Sequence, residues 1–308
     1  MNDRLPQFAA PAASQSVLDR VLHTLGGRRF THLSRSQAQP YLERMRSLLK
    51  ADMDAGRPLH FCYDLGPGYH ASVEADFTGL RFAPSLGELL ALRQIHAFGR
   101  EVAPVYAPGV RFSLVIDDLC AWVTNDVELI DTARYLKQFT ALVGAVGMQD
   151  RVSVLAESAL EDARVYRRAF ERTPQLTKAL AVSPAEQDNV SRFVGRACST
   201  AQAADHLARY QRALVVSDHL LGAHLGGVRL TQRTTAQSLG FRCFPGSDVR
   251  LQSGEVDLLL ASGAHPRPVL ITHRHHALYR RWPVEMDALP PNWPLPTGSA
   301  QVAALAVC

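Results

Sequence analysis

At 308 residues, of which 47% are hydrophobic, the chain is long enough to bury a large core in one domain or two. Its net charge of +4 is modest, and it lacks a basic helix with interleaved aromatic side chains, which argues against nucleic-acid binding. No stretch reaches the ~18 apolar residues of a membrane-spanning helix, so no membrane partner is expected.

The cysteine pattern indicates the compartment. The five cysteines are widely spread, and no Cys-x-x-Cys pair occurs among them. This spacing argues against a zinc knuckle or a disulfide framework and favours a reducing compartment. The N-terminus lacks a basic segment followed by an apolar run, so no secretory signal is expected. These features predict a cytoplasmic protein.

Helical and strand patterns alternate over the first half of the chain. Residues 1–15 are rich in Ala, Pro, Ser and Gln and predict a flexible arm. Beyond them, helices are predicted over 16–25, 40–55, 85–103, 126–146 and 157–172, and strands over 58–64, 110–116 and 151–155. This alternation is typical of a mostly parallel sheet with helices on both faces, so residues 16–180 are predicted to form a Rossmann-like α/β portion.

The pattern changes in residues 181–308. A capping box at Ser183 begins a long helical zone, with a break predicted near Ser217 or Gly222. Short strands are then predicted over 228–232, 241–244, 256–260 and 268–273. This helical and β-rich portion either extends the same sheet or forms a cap over it, and it is expected to complete the site.

The most informative stretch runs from Ser85 to Asp118. A helix that begins at Ser85 is followed by a Pro-Gly turn and by an apolar strand that ends in Asp117 and Asp118. Open α/β sheets bind ligands at the carboxyl ends of their strands, so both acids are candidate catalytic residues. Adjacent side chains on a strand point to opposite faces. One acid is expected to face the crevice, where it holds an ammonium group or takes a proton, and the other to cap a turn; the alternative is that both are only turn formers.

Two other segments carry candidate binding residues. Tyr63 lies near the end of a predicted strand, before a Gly-Pro-Gly loop, and is expected to contact the substrate. The loop matches neither the Walker pattern nor Gly-x-Gly-x-x-Gly, so it gives little support for nucleotide binding. Arg229 and Arg233 follow a Gly-Gly turn and are expected to bind a phosphate or carboxylate group, the alternative being solvated charges at a sheet edge.

The densest histidine cluster spans residues 273–276. On a strand, His273 and His275 share one face, as a metal pair or an acid–base group requires. No acidic or cysteine partner lies at metal-ligand spacing, so no metal is predicted. His273 is the candidate acid–base group and His275 a candidate substrate contact, the alternative being a histidine-rich surface turn.

Residues 85–118 resemble the pyoverdine/dityrosine biosynthesis family, the isocyanide (isonitrile) synthases. The resemblance consists of a helix that contains Gly87-Glu88 and an Ala-Leu-Arg run, a Tyr-x-Pro-Gly turn that ends at Gly109, and a strand that ends at Asp117. The segment 228–232 is similar to the family's Arg-Leu-Ser-Ile-His element. The chain departs from the family at 64–70, where a Lys-Ser-Pro-Asn-like segment is absent, and at 273–276, where the histidines lack a neighbouring tryptophan.

The resemblance implies a Rossmann-like fold and a reaction. In the family, an amino acid α-amine condenses with the ketone of ribulose 5-phosphate, and fragmentation leaves the amine as an isonitrile. The family uses no metal or organic cofactor, its partners are small-molecule substrates, and a downstream oxygenase is a possible partner in secondary-metabolite biosynthesis. Two alternatives stay open: another sugar-phosphate or amino-acid transferase on the same fold, and an inactive member that acts as a binding protein.

Overall fold

A computed structural model describes residues 16–65, 84, 86–174, 182–184, 187, 190–191, 197–231, 234, 238–242, 249–250 and 270–271. The predicted arm of residues 1–15 lies outside this set. None of the helices in the described part is both long and apolar enough to cross a membrane.

The long helices of the described chain are α1 (Val17–Leu25), α2 (Arg35–Asp54), α3 (Leu86–Val102), α4 (Asp118–Asn125), α5 (Leu129–Ala145), α6 (Ala163–Arg172) and α7 (Thr200–His224). A 3₁₀ turn, Glu157–Ala159, precedes α6. Both α2 and α7 begin with a complete capping box, formed by Ser34 with Gln37 and by Ser199 with Gln202. In each box a serine and a glutamine satisfy each other's backbone N–H groups, which fixes the start of the helix.

The strands form one parallel sheet and a small separate pair. Strands β1 (Leu59–Leu65), β2 (Val110–Ile116), β3 (Val152–Ala156), β4 (Val228–Thr231) and β5 (Leu239–Gly240) lie in the order β3-β2-β1-β4-β5, all parallel. The pair β6 (Val249–Arg250) and β7 (Leu270–Ile271) is antiparallel. The strand order reverses between β1 and β4, and this is the topological switch point at which open α/β sheets bind ligands.

One face of the sheet carries the main core. Alternate residues of the central strands, such as Phe61 and Phe112, pack with buried residues of α1, α2, α3 and α5. Phe30, Phe98 and Phe241 join them, with ring centroids 5.1–6.1 Å apart. Side chains alternate along a strand, and the odd-numbered residues of β1 face the main core. The even-numbered residues therefore face the other side of the sheet.

The second face is more polar. Asp64 and Arg229 lie on it, and His60 Nε2 is 2.8 Å from the Ser113 hydroxyl. Helix α7 lies over this face, because its Asp218 forms an ion pair with Arg229. A smaller apolar cluster joins α4, α6 and α7 beside it. Helices therefore cover both faces, as the sequence pattern predicted.

Most predicted elements of the first half are confirmed within a few residues, and β4 and β5 show that the C-terminal portion extends the same sheet across the predicted boundary at 180–181. The prediction that Asp126 begins a helix is wrong. Asp126 ends α4 with φ of +53°, and α5 begins after Glu128. The break predicted within the long helix is also absent, since α7 continues through Ser217 and Gly222. Ser85, the predicted start of α3, lies outside the described residues, and the side chain of Glu88 in the first turn accepts a hydrogen bond from the Tyr135 hydroxyl at 3.0 Å.

The turn into β4 requires glycine at position 227. Gly227 has φ of +101°, and a Cβ atom there would lie 2.7 Å from the carbonyl oxygen of His60. Gly227→Ala is therefore expected to lower the free energy of unfolding by about 1–3 kcal/mol, the usual cost of one strained backbone position. Urea denaturation measures the change. Gly226→Ala is the matched control, because a Cβ atom at Gly226 meets nothing within 4 Å; equal losses in both variants would contradict the assignment.

Candidate active site at the carboxyl edge of the sheet

One acidic side chain lies at the carboxyl end of each of three neighbouring strands. Asp64 is the second-to-last residue of β1, Asp117 directly follows β2, and Glu157 directly follows β3. Asp117 is 8% exposed and Glu157 is fully buried. Buried carboxylates in a row are costly unless they are paired or protonated, so this edge is electrostatically unlike the rest of the sheet.

Arg229 on β4 joins the row from the other side of the switch point. Its Nη2 donates to Asp64 Oδ2 at 2.5 Å, and its Nη1 forms an ion pair with Asp218 of α7. Two carboxylates therefore surround one guanidinium group that is only 17% exposed. With both acids ionised, the group of Asp64, Arg229 and Asp218, here called the Arg229 triad, carries one net negative charge.

Asp64 retains binding capacity within the Arg229 triad. Its Oδ1 atom is buried and has no hydrogen-bond partner among the described residues. Burial raises the pKa of Asp64 to about 6, and the charge of Asp218 adds to this, although Arg229 opposes both. Asp64 is thus ionised at neutral pH and takes up a proton under mildly acidic conditions. Burial likewise raises the pKa of Asp218.

Asp118 bonds to the protein backbone. Its Oδ1 accepts from the N–H groups of Leu119 and Ser158, both at 3.0 Å, and its Oδ2 accepts from the Ser158 hydroxyl at 2.5 Å. Burial raises the pKa of Asp118 in spite of these bonds. The carboxylate ties the start of α4 to the 3₁₀ turn after β3. Of the two adjacent acids, Asp118 is therefore the one that forms the turn.

Asp117 occupies the residue before α4, but its side chain makes no capping hydrogen bond to that helix. The capping role belongs to Glu157, whose Oε2 accepts from the Cys120 N–H at 3.0 Å. Burial raises the pKa of Glu157 well above its ordinary value, and the nearby charge of Asp117 raises it further. Burial and the charge of Asp117 therefore both favour the neutral form of Glu157 over its ionised form.

Sequence reasoning missed Glu157 and Asp218. The sequence pattern places Glu157 at the start of the predicted helix 157–172. Its position directly after an apolar strand repeats that of Asp117 and is the signal that marks it. Asp218 lies in the middle of a long helix, where nothing local distinguishes it from a solvated acid.

One predicted binding residue, Tyr63, does not enter this geometry. Tyr63 is fully buried in the main core, where its ring packs edge-on against Phe241 at a centroid distance of 6.1 Å. It lies on the apolar face of β1, opposite to Asp64, because side chains alternate along the strand. Arg233, His273 and His275 lie outside the described residues. Within the described part of the chain, no group of three His, Cys, Asp or Glu side chains has an arrangement that holds a metal ion.

Comparison with known proteins concerns the fold. Neither a protein-family model nor a curated protein sequence matches the chain. Among solved structures, the chain is similar to the PvcA protein from Pseudomonas aeruginosa, with a TM-score of 0.56 and 15% identity over 75% of this chain and 84% of that chain. It is also similar to tyrosyl-tRNA synthetase from Archaeoglobus fulgidus complexed with L-tyrosine, with a TM-score of 0.41 and 12% identity over 70% and 55% of the two chains. The latter likeness is too loose to carry an argument.

The fold defines an α/β protein with a Rossmann-like parallel sheet and an acidic site at its switch point. PvcA is a member of the pyoverdine/dityrosine biosynthesis family. The resemblance to that family, predicted from residues 85–118, is thus confirmed at the level of the fold.

Substitution of Arg229 tests whether the Arg229 triad stabilises the fold. Arg229→Met leaves the largely buried Asp64 and the partly exposed Asp218 without a counter-charge. This is expected to lower the free energy of unfolding by about 3 kcal/mol at about pH 8, the lower end of the range for a buried ion pair. The loss of Arg229 raises both folded-state pKa values further above the unfolded ones, so the folded protein takes up protons more readily and stability falls as pH rises. The deficit should therefore shrink at about pH 5.

Urea denaturation at the two pH values measures this effect. Arg57→Met is the control, because the exposed pair of Arg57 with Asp52 is expected to contribute roughly 0–1 kcal/mol. A deficit for Arg229→Met that is equally large at both pH values would mean that the two carboxylates do not depend on the guanidinium group.

Proposed function

We propose that the chain is an isonitrile synthase-like enzyme that converts the α-amine of an amino acid to an isonitrile, with ribulose 5-phosphate as the carbon donor. The observation that carries the proposal is the position of Asp117, Asp64 and Arg229 at the adjacent strands β2, β1 and β4, beside the switch point of a sheet whose fold is similar to that of PvcA. Amine chemistry needs carboxylates that bind an ammonium group and exchange its proton, and this edge of the sheet supplies them.

The Arg229 triad suits the substrate amine. Its net negative charge attracts a cation. The buried Oδ1 of Asp64 has no hydrogen-bond partner within the described part of the chain, and an ammonium group would supply one. An amine attacks a ketone only after it loses its extra proton. A carboxylate whose pKa is raised to about 6 binds the ammonium at neutral pH and is closer in proton affinity to the amine than an exposed aspartate is.

Asp117 is the proposed general base for the proton transfers of imine formation and fragmentation. It follows the interior strand β2, next to the β1 end that carries Asp64. Asp118 is proposed to act indirectly, by fixing the backbone around Asp117 through its bonds to Ser158. His273 stays the candidate for a second acid–base group.

The substrate anions require further cations. Arg229 already neutralises two carboxylates, so its role in the proposal is to organise the amine site, and this pairing disfavours the predicted contact with a substrate phosphate. Arg233 and His275 are the proposed contacts for the phosphate or carboxylate end. The proposed reaction uses ribulose 5-phosphate as a co-substrate and requires no metal or organic cofactor.

Mass spectrometry of the protein incubated with a pool of amino acids tests the proposal directly. The ribulose 5-phosphate carries carbon-13 at its ketone carbon. We expect one amino acid to gain a single labelled carbon on its nitrogen, which depends on both the protein and the sugar. Transfer of any other fragment of the sugar would favour a different transferase. Binding of a substrate without any product would favour an inactive binding protein.

The role of Asp117 makes a separate prediction. Asp117→Asn keeps the size of the side chain but removes its basicity, so turnover is expected to fall by ~10²–10⁴ while the melting temperature changes little. Asp126→Asn is the control, since Asp126 is exposed at the other end of α4 and asparagine tolerates its left-handed conformation. Unchanged turnover in a well-folded Asp117→Asn protein would remove Asp117 from the chemistry.

A further inference from the structure

The first turn of α4 has an unusual arrangement of caps. The first N–H groups of a helix have no partner within the helix, and the residue before it commonly supplies an acceptor. Asp117 is such a residue by type and position, yet its carboxylate makes no capping bond. The backbone alone continues regularly, because the Asp117 carbonyl accepts from the Ala121 N–H at 2.9 Å.

A side chain from the neighbouring strand end supplies the missing acceptor. Glu157 Oε2 accepts from the Cys120 N–H, which belongs to the third residue of α4 and is the usual target of a capping side chain. Glu157 is 37 residues away in sequence and fully buried. The bonds from Ser158 to Asp118 hold the same two segments together, so Glu157 is fixed against the start of α4.

We propose that Glu157 is a positioning residue of the candidate site, which caps α4 in place of Asp117 and so keeps the Asp117 carboxylate from becoming the helix cap. This inference rests on the proposed function of Asp117 as a base. A capping aspartate would accept N–H bonds at the positive end of a helix, and such bonds stabilise the ionised form and weaken the base. Because Glu157 accepts the Cys120 N–H, Asp117 does not receive these capping bonds and its basicity is not lowered by them.

The surroundings of Asp117 are consistent with this division of roles. Glu157, Cys120 of α4 and Tyr166 of α6 are titratable groups that interact electrostatically with Asp117. Burial raises the pKa of all three, and the charge of Asp117 raises each of them further, so the neutral forms of these neighbours are favoured beside an ionised Asp117.

The test compares three variants by NMR titration of carbon-13-labelled aspartate side chains, with Asp117→Asn to assign the signal. Glu157→Met keeps the volume but removes the acceptor, so Asp117 should turn to cap α4 and its titration should move to lower pH. Glu157→Gln keeps an acceptor oxygen and should restore the wild-type titration. Ser158→Ala removes only the hydroxyl bond to Asp118 and keeps both the Ser158 N–H bond to Asp118 and the Cys120 cap, so it should leave the titration of Asp117 unchanged.

Turnover gives a second readout. Glu157→Met is expected to lower kcat by roughly 10–100-fold with little change in KM, because the base is misplaced while the amine site is intact. Glu157→Gln should recover most of the loss. The acidic limb of the pH profile should move in the same direction as the titration of Asp117.

The titration decides the inference even if no isonitrile is formed, so the proposed function and the positioning role can fail separately. A wild-type titration of Asp117 in folded Glu157→Met would overturn the inference, as would a shift in Ser158→Ala of the same size. Glu157→Ala carries the same expectation and replaces the methionine variant if that variant does not fold.

Discussion

The buried guanidinium of Arg229 is the interaction on which the carboxyl edge depends. It bonds to Asp64 of β1 and to Asp218 of α7 from its own position on β4, so a single cation joins two strands and the helix above them. A guanidinium group that is only 17% exposed is stabilised by ionised partners, and those partners are stabilised by the cation. The strand order reverses at this point, so the same contact that holds β4 against β1 also defines the floor of the candidate site.

The acidic side chains at the carboxyl edge of the sheet differ in the groups to which they bond. Asp118 and Glu157 are engaged by N–H groups of the backbone, and they connect the end of β3 to the start of α4. Asp64 instead bonds to the guanidinium group of Arg229. Asp117 follows β2, which lies between the strands that carry these two groups, so neighbouring acids at this edge are held by different kinds of partner.

The fold was largely predictable because its signals are local. The apolar runs of β1 and β2 and the periodic face of α3 are contained within their own segments, and Asp117 directly follows such a run. Roles that depend on distant partners were not predictable. Glu157 is defined by an N–H group 37 residues away, and Asp126 carries the same local signal whether it begins a helix or ends one. The burial of Tyr63 was readable in principle, because its alternation with Asp64 along β1 separates the apolar face from the polar one.

The order of the strands has a consequence for the folding of the chain. Strand β4 pairs with β1, and Arg229 and Asp64 are 165 residues apart in sequence. During synthesis, β1, β2 and β3 are complete long before β4 leaves the ribosome, so β1 remains an edge strand with unpaired backbone groups for most of that time. Exposed edges of this kind promote aggregation, and long-range parallel pairing is slow. The ion pair of Arg229 with Asp64 joins β4 to β1, so the candidate site is complete only after these two strands have paired.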